Sequence, residues 1–319
     1  MGKFDAESKK YLSINRIFAD AFNFLIYDGE PVIKPEALHA VDTTEIAIPY
    51  GHGARVPIQK YRDIMKIWAA MQDENAVYIL LGGELQSRIH YAMPVKDMLY
   101  DSINYAAQVD AARSSYKSFK FDEEGVKIKL SQEEFLSGFR KGDKLIPVIT
   151  AVVYFGADEW DAPMSIHEML SVSDERYLRF VSDYKINLIA PARIGDEDFA
   201  SRDHKGKFHT GFGTLMQVIK HQNEIGVYDI MRDAPNMDVA SAELIAEIAN
   251  MPIEIIPDEK GEFNMCKGIE EYMTKNNVLN AISLLRDMGL SEEEIAERVS
   301  KKYNVTIEYV KELMMPKAV

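Results

Sequence analysis

The chain has 319 residues, 47% hydrophobic and 28% charged, with a formal net charge of −14 at pH 7. That balance is ordinary for a soluble globular protein; its acidity excludes a surface wrapped throughout in nucleic acid, but not a local basic groove. The length is large for one core, so two domains or one domain with a long extension are expected, and a single cysteine, Cys266, excludes an internal disulfide and fits a reducing compartment.

The first residues carry charges without an apolar run of signal-peptide type. The most apolar stretch, Leu145 to Phe155, is too short to span a bilayer as a helix, so a cytoplasmic protein with no membrane partner is expected. Tyr11, Ile14, Ile17, Phe18, Ala21, Phe22 and Leu25 recur at helical spacing, predicting one helix from Tyr11 to Tyr27 that stops at Asp28-Gly29. Asp20 lies on that helix beside its apolar stripe. Ala37 to Ile48 reads as a strand or strand pair, followed by a loop at Tyr50-Gly51-His52-Gly53. Val56 to Met71 fits a helix through Ile64, Ile67, Trp68 and Met71, and a strand through Met65, Ile67, Ala69 and Met71. Periodicity does not decide it.

The next stretch, Ala76 to Ser87, is an apolar run that enters two glycines and then Glu84-Leu85-Gln86. Bounded by turn signals at Gln72 to Asn75, it predicts a buried strand. Strand side chains alternate, so Glu84 and Gln86 share a face at the strand end while Leu85 faces the other way. Such a polar pair either meets solvent or is kept for hydrogen bonding or a ligand, because burying it alone is costly. Pro94 lies in the first turn of a helix predicted from Met93 to about Ala112. Lys117 to Leu130 reads as an exposed hairpin or insertion, Leu145 to Phe155 as a second buried strand, and Ile186 to Ile189 as a short third one. Beyond Asp196 the pattern is helical: Phe212 to Glu224, Ser241 to Ala249, Gly268 to Tyr272 and Val278 to Met288. The charged segment Ile256 to Glu262 is the expected hinge or loop. Ser291-Glu292-Glu293-Glu294 is a capping box opening a helix to Tyr303, and Ile307 to Met314 forms a last helix. Helix, short turn, helix is helix-turn-helix spacing, but the last helix is not basic, so packing or homo-oligomerisation is favoured over groove reading. His204 and His209 have no third ligand nearby in sequence, His90 reads as structural, and no zinc site is expected.

Tyr61 to Lys66, Tyr78 to Ser87 and Met93 to Tyr100 together resemble the Rpn family of recombination-promoting nucleases, also labelled putative transposases, of the PD-(D/E)xK superfamily. The likeness is greatest to its clostridial branch, and it continues in patches through Pro147 to Gly156, Asp183 to Ile189 and Gly289 to Ala296. The resemblance implies an αβββαβ restriction-endonuclease-like core over residues 1–191 and a mainly helical region over 192–319. It makes Asp63 to Met71 a strand paired with Ala76 to Ser87. It implies a metal-dependent DNA endonuclease, linked to recombination or mobile elements, with Asp63 and Glu84 as Mg²⁺ (or Mn²⁺) ligands and Asp20 as a further acid. Two carboxylates converging at a hairpin suit a hard cation that keeps waters and phosphate in its other positions. Asp42 also recurs in look-alikes without an assignable role.

Gln86 stands where the superfamily has lysine. A glutamine can orient water or phosphate but supplies no charge and shuttles no proton. The alternative expectation is therefore a catalytically weak or inactive DNA-binding or regulatory protein on a nuclease scaffold. Arg55, Lys60, Arg62, Lys66 and Arg88 lie near the acids in sequence and are the candidates for a basic groove.

Overall fold

The computed structural model describes residues 3–41, 44–47, 58–61, 63–72, 75–118, 130–224 and 226–315. Asp42, the loop at Tyr50 to Gly53, Arg55, Arg62 and most of the stretch expected as a hairpin after Lys117 lie outside them. The chain forms two compact units, one of residues 1–200 with 205–221, the other of 201–204 with 222–319.

The first unit begins with α1 (Lys3–Leu12) and α2 (Asn15–Tyr27), two helices where the periodicity predicts one. Ile14 is extended (φ −67°, ψ 122°), and the buried ammonium of Lys66 holds the break, accepted at 2.6 Å by the Ser13 carbonyl and also by the Asn15 side chain. The spacing Ile17, Phe18, Ala21, Phe22 does bury one face of α2. Asp28 ends the helix in the left-handed region, at φ 52°.

The chain continues through β1 (Leu38–Ala40), β2 (Thr44–Ala47), β3 (Ile58–Tyr61), β4 (Ile64–Gln72) and β5 (Asn75–Gln86). Next come α3 (Met93–Ser118), α4 (Gln132–Ser137), β6 (Val148–Tyr154), the single turns α5 (Ile166–Met169) and α6 (Glu175–Leu178), β7 (Asn187–Ile189) and α7 (Gly211–His221). Five strands make one mixed sheet in the order β1-β4-β5-β6-β7, and β2 pairs with β3 separately. β4 runs antiparallel to β1 and β5, whereas β5, β6 and β7 are parallel. The parallel step from β5 to β6 requires a long crossover, and α3 lies in that connection. The ambiguous stretch is thus a strand, with register from Ile64↔Gly83 to Gln72↔Asn75. A tertiary pairing decided it, where local spacing could not. In β6, Ala151 to Tyr154 are buried, and Val152 and Tyr154 pack with Met93, Trp160, Ile186 and Ala190.

The first unit extends past the expected boundary at residue 191. The cause is α7, whose Phe212, Leu215, Met216 and Val218 are fully buried and whose leading residues are held by Asp20.

The second unit is α8 (Val227–Asp233), β8 (Met237–Asp238), α9 (Val239–Ile248), β9 (Glu262–Phe263), α10 (Met265–Asp287), α11 (Glu292–Tyr303) and α12 (Ile307–Met314). The two helical pieces expected around Gly268 and Val278 are one helix, because the polar Thr274 to Asn277 between them continues it. Val278, Ile282, Ile295, Val299, Val310 and Met314 form the core of the terminal bundle. The capping box closes in both directions: the Glu294 N–H donates to the Ser291 hydroxyl, and the Ser291 N–H donates to the Glu294 carboxylate.

Candidate active site

β5 leaves the core at its C-terminal end, where Gly82, Gly83 and Glu84 are buried, Leu85 and Gln86 half-buried, and Ser87 exposed. The register with β4, carried one residue beyond Ile64↔Gly83, sets Asp63 opposite Glu84. Facing residues of an antiparallel pair share a sheet face, so the two carboxylates converge. Asp63 Oδ2 accepts the Leu85 N–H at 3.1 Å, which fixes the acid at the mouth of the hairpin.

Gly83 lies on the opposite face. A Cβ there would meet Leu12 and Phe18 at 3.5 Å, an ordinary contact distance, so the α1–α2 corner packs directly over this position of β5. α1 then brings Phe4, Ser8 and Lys9 to the strand end, and Lys9 Nζ lies 3.8 Å from Asp63 Oδ1.

The most consequential contact is Lys96 Nζ to Glu84 Oε2, at 2.7 Å, on a carboxylate only 1% exposed. Lys96 projects from the first turn of α3, which Met93 anchors in the core. Burial alone lowers the basicity of this ammonium. The charge and hydrogen bond of Glu84, with further help from Tyr100 and Asp63, more than offset that, and the Lys96 pKa is raised above its ordinary value. The pair with Glu84 thus favours the charged ammonium of Lys96.

These groups line a cleft of about 740 Å³ that also takes in Gln86, Arg88, His90 and Phe155. Asp63 and Gln86 line it, with Glu84 behind them. Among the basic residues near the acids in sequence, Arg88 lines the cleft. Lys66 does not, being directed at Ser13 and Asn15, and the side chains of Arg55, Lys60 and Arg62 are outside the described residues. His90, expected as structural, stands exposed at the rim.

Asp20 does not belong to this cleft, which corrects its expected place among the metal ligands. Its Oδ1 accepts the His209 N–H at 2.9 Å, and its Oδ2 accepts the Thr210 N–H at 2.9 Å and the Thr210 hydroxyl at 2.6 Å. Burial raises its pKa, and those bonds offset only part of the rise. The acid caps the entry to α7.

Sequence reasoning did not single out Lys9 or Lys96. The second was within reach of it: a helix that crosses back over the sheet after β5 must begin at the end where Glu84 stands, so its first-turn lysine arrives there. Lys9 gave no such signal, since its placement depends on the break at Ser13.

The carboxylates of Asp63 and Glu84 offer oxygen donors, which suit a hard cation such as Mg²⁺. Among the described residues no group of three or more His, Cys, Asp or Glu side chains converges to hold a metal. No helix among them is long and apolar enough to cross a membrane. No family model matches the chain, and neither does any curated protein or solved structure.

Proposed function

We propose that the chain is a metal-dependent DNA endonuclease of PD-(D/E)xK type, hydrolysing phosphodiester bonds at the cleft between α1 and the start of α3. The observation that carries the reading is the meeting of Asp63, Glu84 and Lys96 at one strand end. A lysine from the helix stands where the strand position, Gln86, offers none. The succession α2, β1, β4, β5, α3, β6 follows the αβββαβ order, with the β2–β3 hairpin between its first two strands.

Asp63 and Glu84, with the Leu85 carbonyl, are the oxygen donors that would hold Mg²⁺ or Mn²⁺. Such an ion supplies an acidified water and polarises a phosphoryl oxygen. The protein contributes the rest. Lys96 and Lys9 oppose the negative charge of the scissile phosphate, which neighbouring carboxylates alone would repel. Gln86 accepts a hydrogen bond from the attacking water through its carbonyl and orients it. Arg88 at the rim draws the adjacent phosphate. A role in recombination or in the movement of mobile elements would follow from cutting DNA.

The test is plasmid nicking with Mg²⁺ by parent, Asp63→Ala and Glu84→Ala at matched purity. The expected result is nicking by the parent and its loss in both variants. An intact plasmid with the parent, or equal nicking by all three, rejects the reading.

One observation favours a second reading, a DNA-binding or regulatory protein without catalysis. Lys96 and Lys9 already lie against Glu84 and Asp63, so the two acids have counter-charges without a metal. Salt-dependent DNA binding with no cleavage in any divalent metal would select it.

A further inference from the structure

The chemistry of phosphodiester cutting calls for anionic metal ligands and cations, yet one wall of this cleft is aromatic. Phe4 of α1 and Phe155, just past β6, meet edge to face with centroids 6.1 Å apart, and both line the cleft. Phe4 is half-buried, leaving part of its ring to the cavity. Four residues on, and so on the same helical face, Ser8 lines the same wall. It is 2% exposed, and its hydroxyl has no hydrogen-bond partner among the described residues. Lys9, Arg88 and Lys96 line the cavity together with the acid Asp63, in a chain whose net charge is −14. The site is thus a local cationic pocket with a ring wall and a buried polar group beside it. A volume of about 740 Å³ is enough to take a nucleotide-sized group.

We propose that the cleft admits one unpaired nucleotide, its base against Phe4 and its phosphate toward Lys9 and Lys96. The substrate is then single-stranded or locally melted DNA in preference to intact duplex. The π-face of a base suits the exposed part of Phe4, the Ser8 hydroxyl offers a bond to the base edge or sugar, and the lysines take the phosphate. The direction of the phosphate rests on the nuclease reading; the base pocket does not.

The experiment uses the full chain in EDTA, so that no strand is cut. A fluorescein-labelled single-stranded 12-mer and its blunt duplex are compared by anisotropy, and a second single strand carries 2-aminopurine to report stacking. Expected are tighter binding of the single strand than of the duplex, by about tenfold or more, and quenching of the 2-aminopurine. Phe4→Leu keeps apolar bulk against Phe155 but removes the ring, and should weaken single-strand binding about 5- to 100-fold and abolish the quenching. Phe4→Trp should retain both. Equal or tighter duplex binding, no binding of the single strand, or a Phe4→Leu variant with parental binding and quenching overturns the proposal. Circular dichroism of each variant confirms that it is folded. Ring-dependent single-strand binding without any cleavage in metal would reject the nuclease reading and leave this one standing. Duplex nicking with parental Phe4 variants would do the reverse.

Discussion

Replacing Lys96 by Met tests both the stability and the chemistry of the site. The substitution keeps a long apolar stem and removes the ammonium 2.7 Å from a carboxylate that is 1% exposed. Stranding one member of a buried pair costs about 3–5 kcal/mol. The Lys96 side chain is 27% exposed, so water can reach part of the vacated space, and the low end, about 3 kcal/mol, is expected. For a unit of this size that is a fall in Tm of about 6–12 °C. The pH dependence has a defined sign. Because the Lys96 pKa is raised, its contribution is complete below the ordinary value of 10.5 and is lost only as pH rises through the higher folded value. The parent should therefore show no loss from this pair between about pH 6 and 9. The deficit of Lys96→Met should shrink toward acid, as the stranded carboxyl takes up a proton. Nicking should fall about 10²–10³-fold if the ammonium opposes phosphate charge. Urea unfolding at several pH values, with Glu84→Gln and the double variant completing a cycle, measures the coupling. The double variant should recover about 2 kcal/mol relative to Lys96→Met while remaining inactive. A coupling below about 0.5 kcal/mol, or nicking by Lys96→Met at the parental rate, would refute the reasoning.

Other substitutions probe the frame around the site. Asp20→Ala removes the acceptor for two backbone N–H groups and the Thr210 hydroxyl, and should cost about 2–3 kcal/mol in urea unfolding at neutral pH. Since burial raises the Asp20 pKa, the stability held by this group is fullest below the ordinary value of 3.8 and declines as pH rises through the raised one. The gap to parent should therefore narrow from acid to neutral pH, and a gap that widens would contradict this account. Gly83→Ala should change Tm little, because its Cβ meets Leu12 and Phe18 at ordinary contact distance. Gly83→Ile should lose about 1–3 kcal/mol and weaken nicking as well, by displacing the helix that carries Lys9. Parental activity in a destabilised Gly83→Ile would separate α1 from the reaction.

Much of the first unit was legible because its elements announce themselves locally. The apolar run of β5, the two glycines and the Pro94 start of α3 place Glu84 and the crossover before any tertiary contact is known. The β4 stretch was not legible from periodicity, since its residues satisfy both patterns and only pairing with β5 decides. The break between α1 and α2 was hidden for a related reason: Ile14 continues the apolar spacing, while Lys66, far along the chain, fixes the Ser13 carbonyl. Asp20 shows the limit most plainly. An acid beside an apolar stripe looks the same whether it turns to a metal or to a backbone N–H, and its partners lie in a loop that no local pattern connects to it. In the second unit the capping box and the bundle spacing were readable, because caps are made by neighbours in sequence.

The bond from Asp20 to Thr210 joins positions 190 residues apart. Such a contact closes a large loop, and its entropy is recovered only after the intervening sheet has formed. During synthesis the N-terminal helices and all five strands of the main sheet emerge before α7 can dock, so the first unit waits, incomplete, with the α2 acid uncapped. A fragment ending at residue 191 would hold every strand of that sheet and still lack the helix that completes the fold. The minimal folding unit is set by where the last long-range hydrogen bond closes, beyond the last strand.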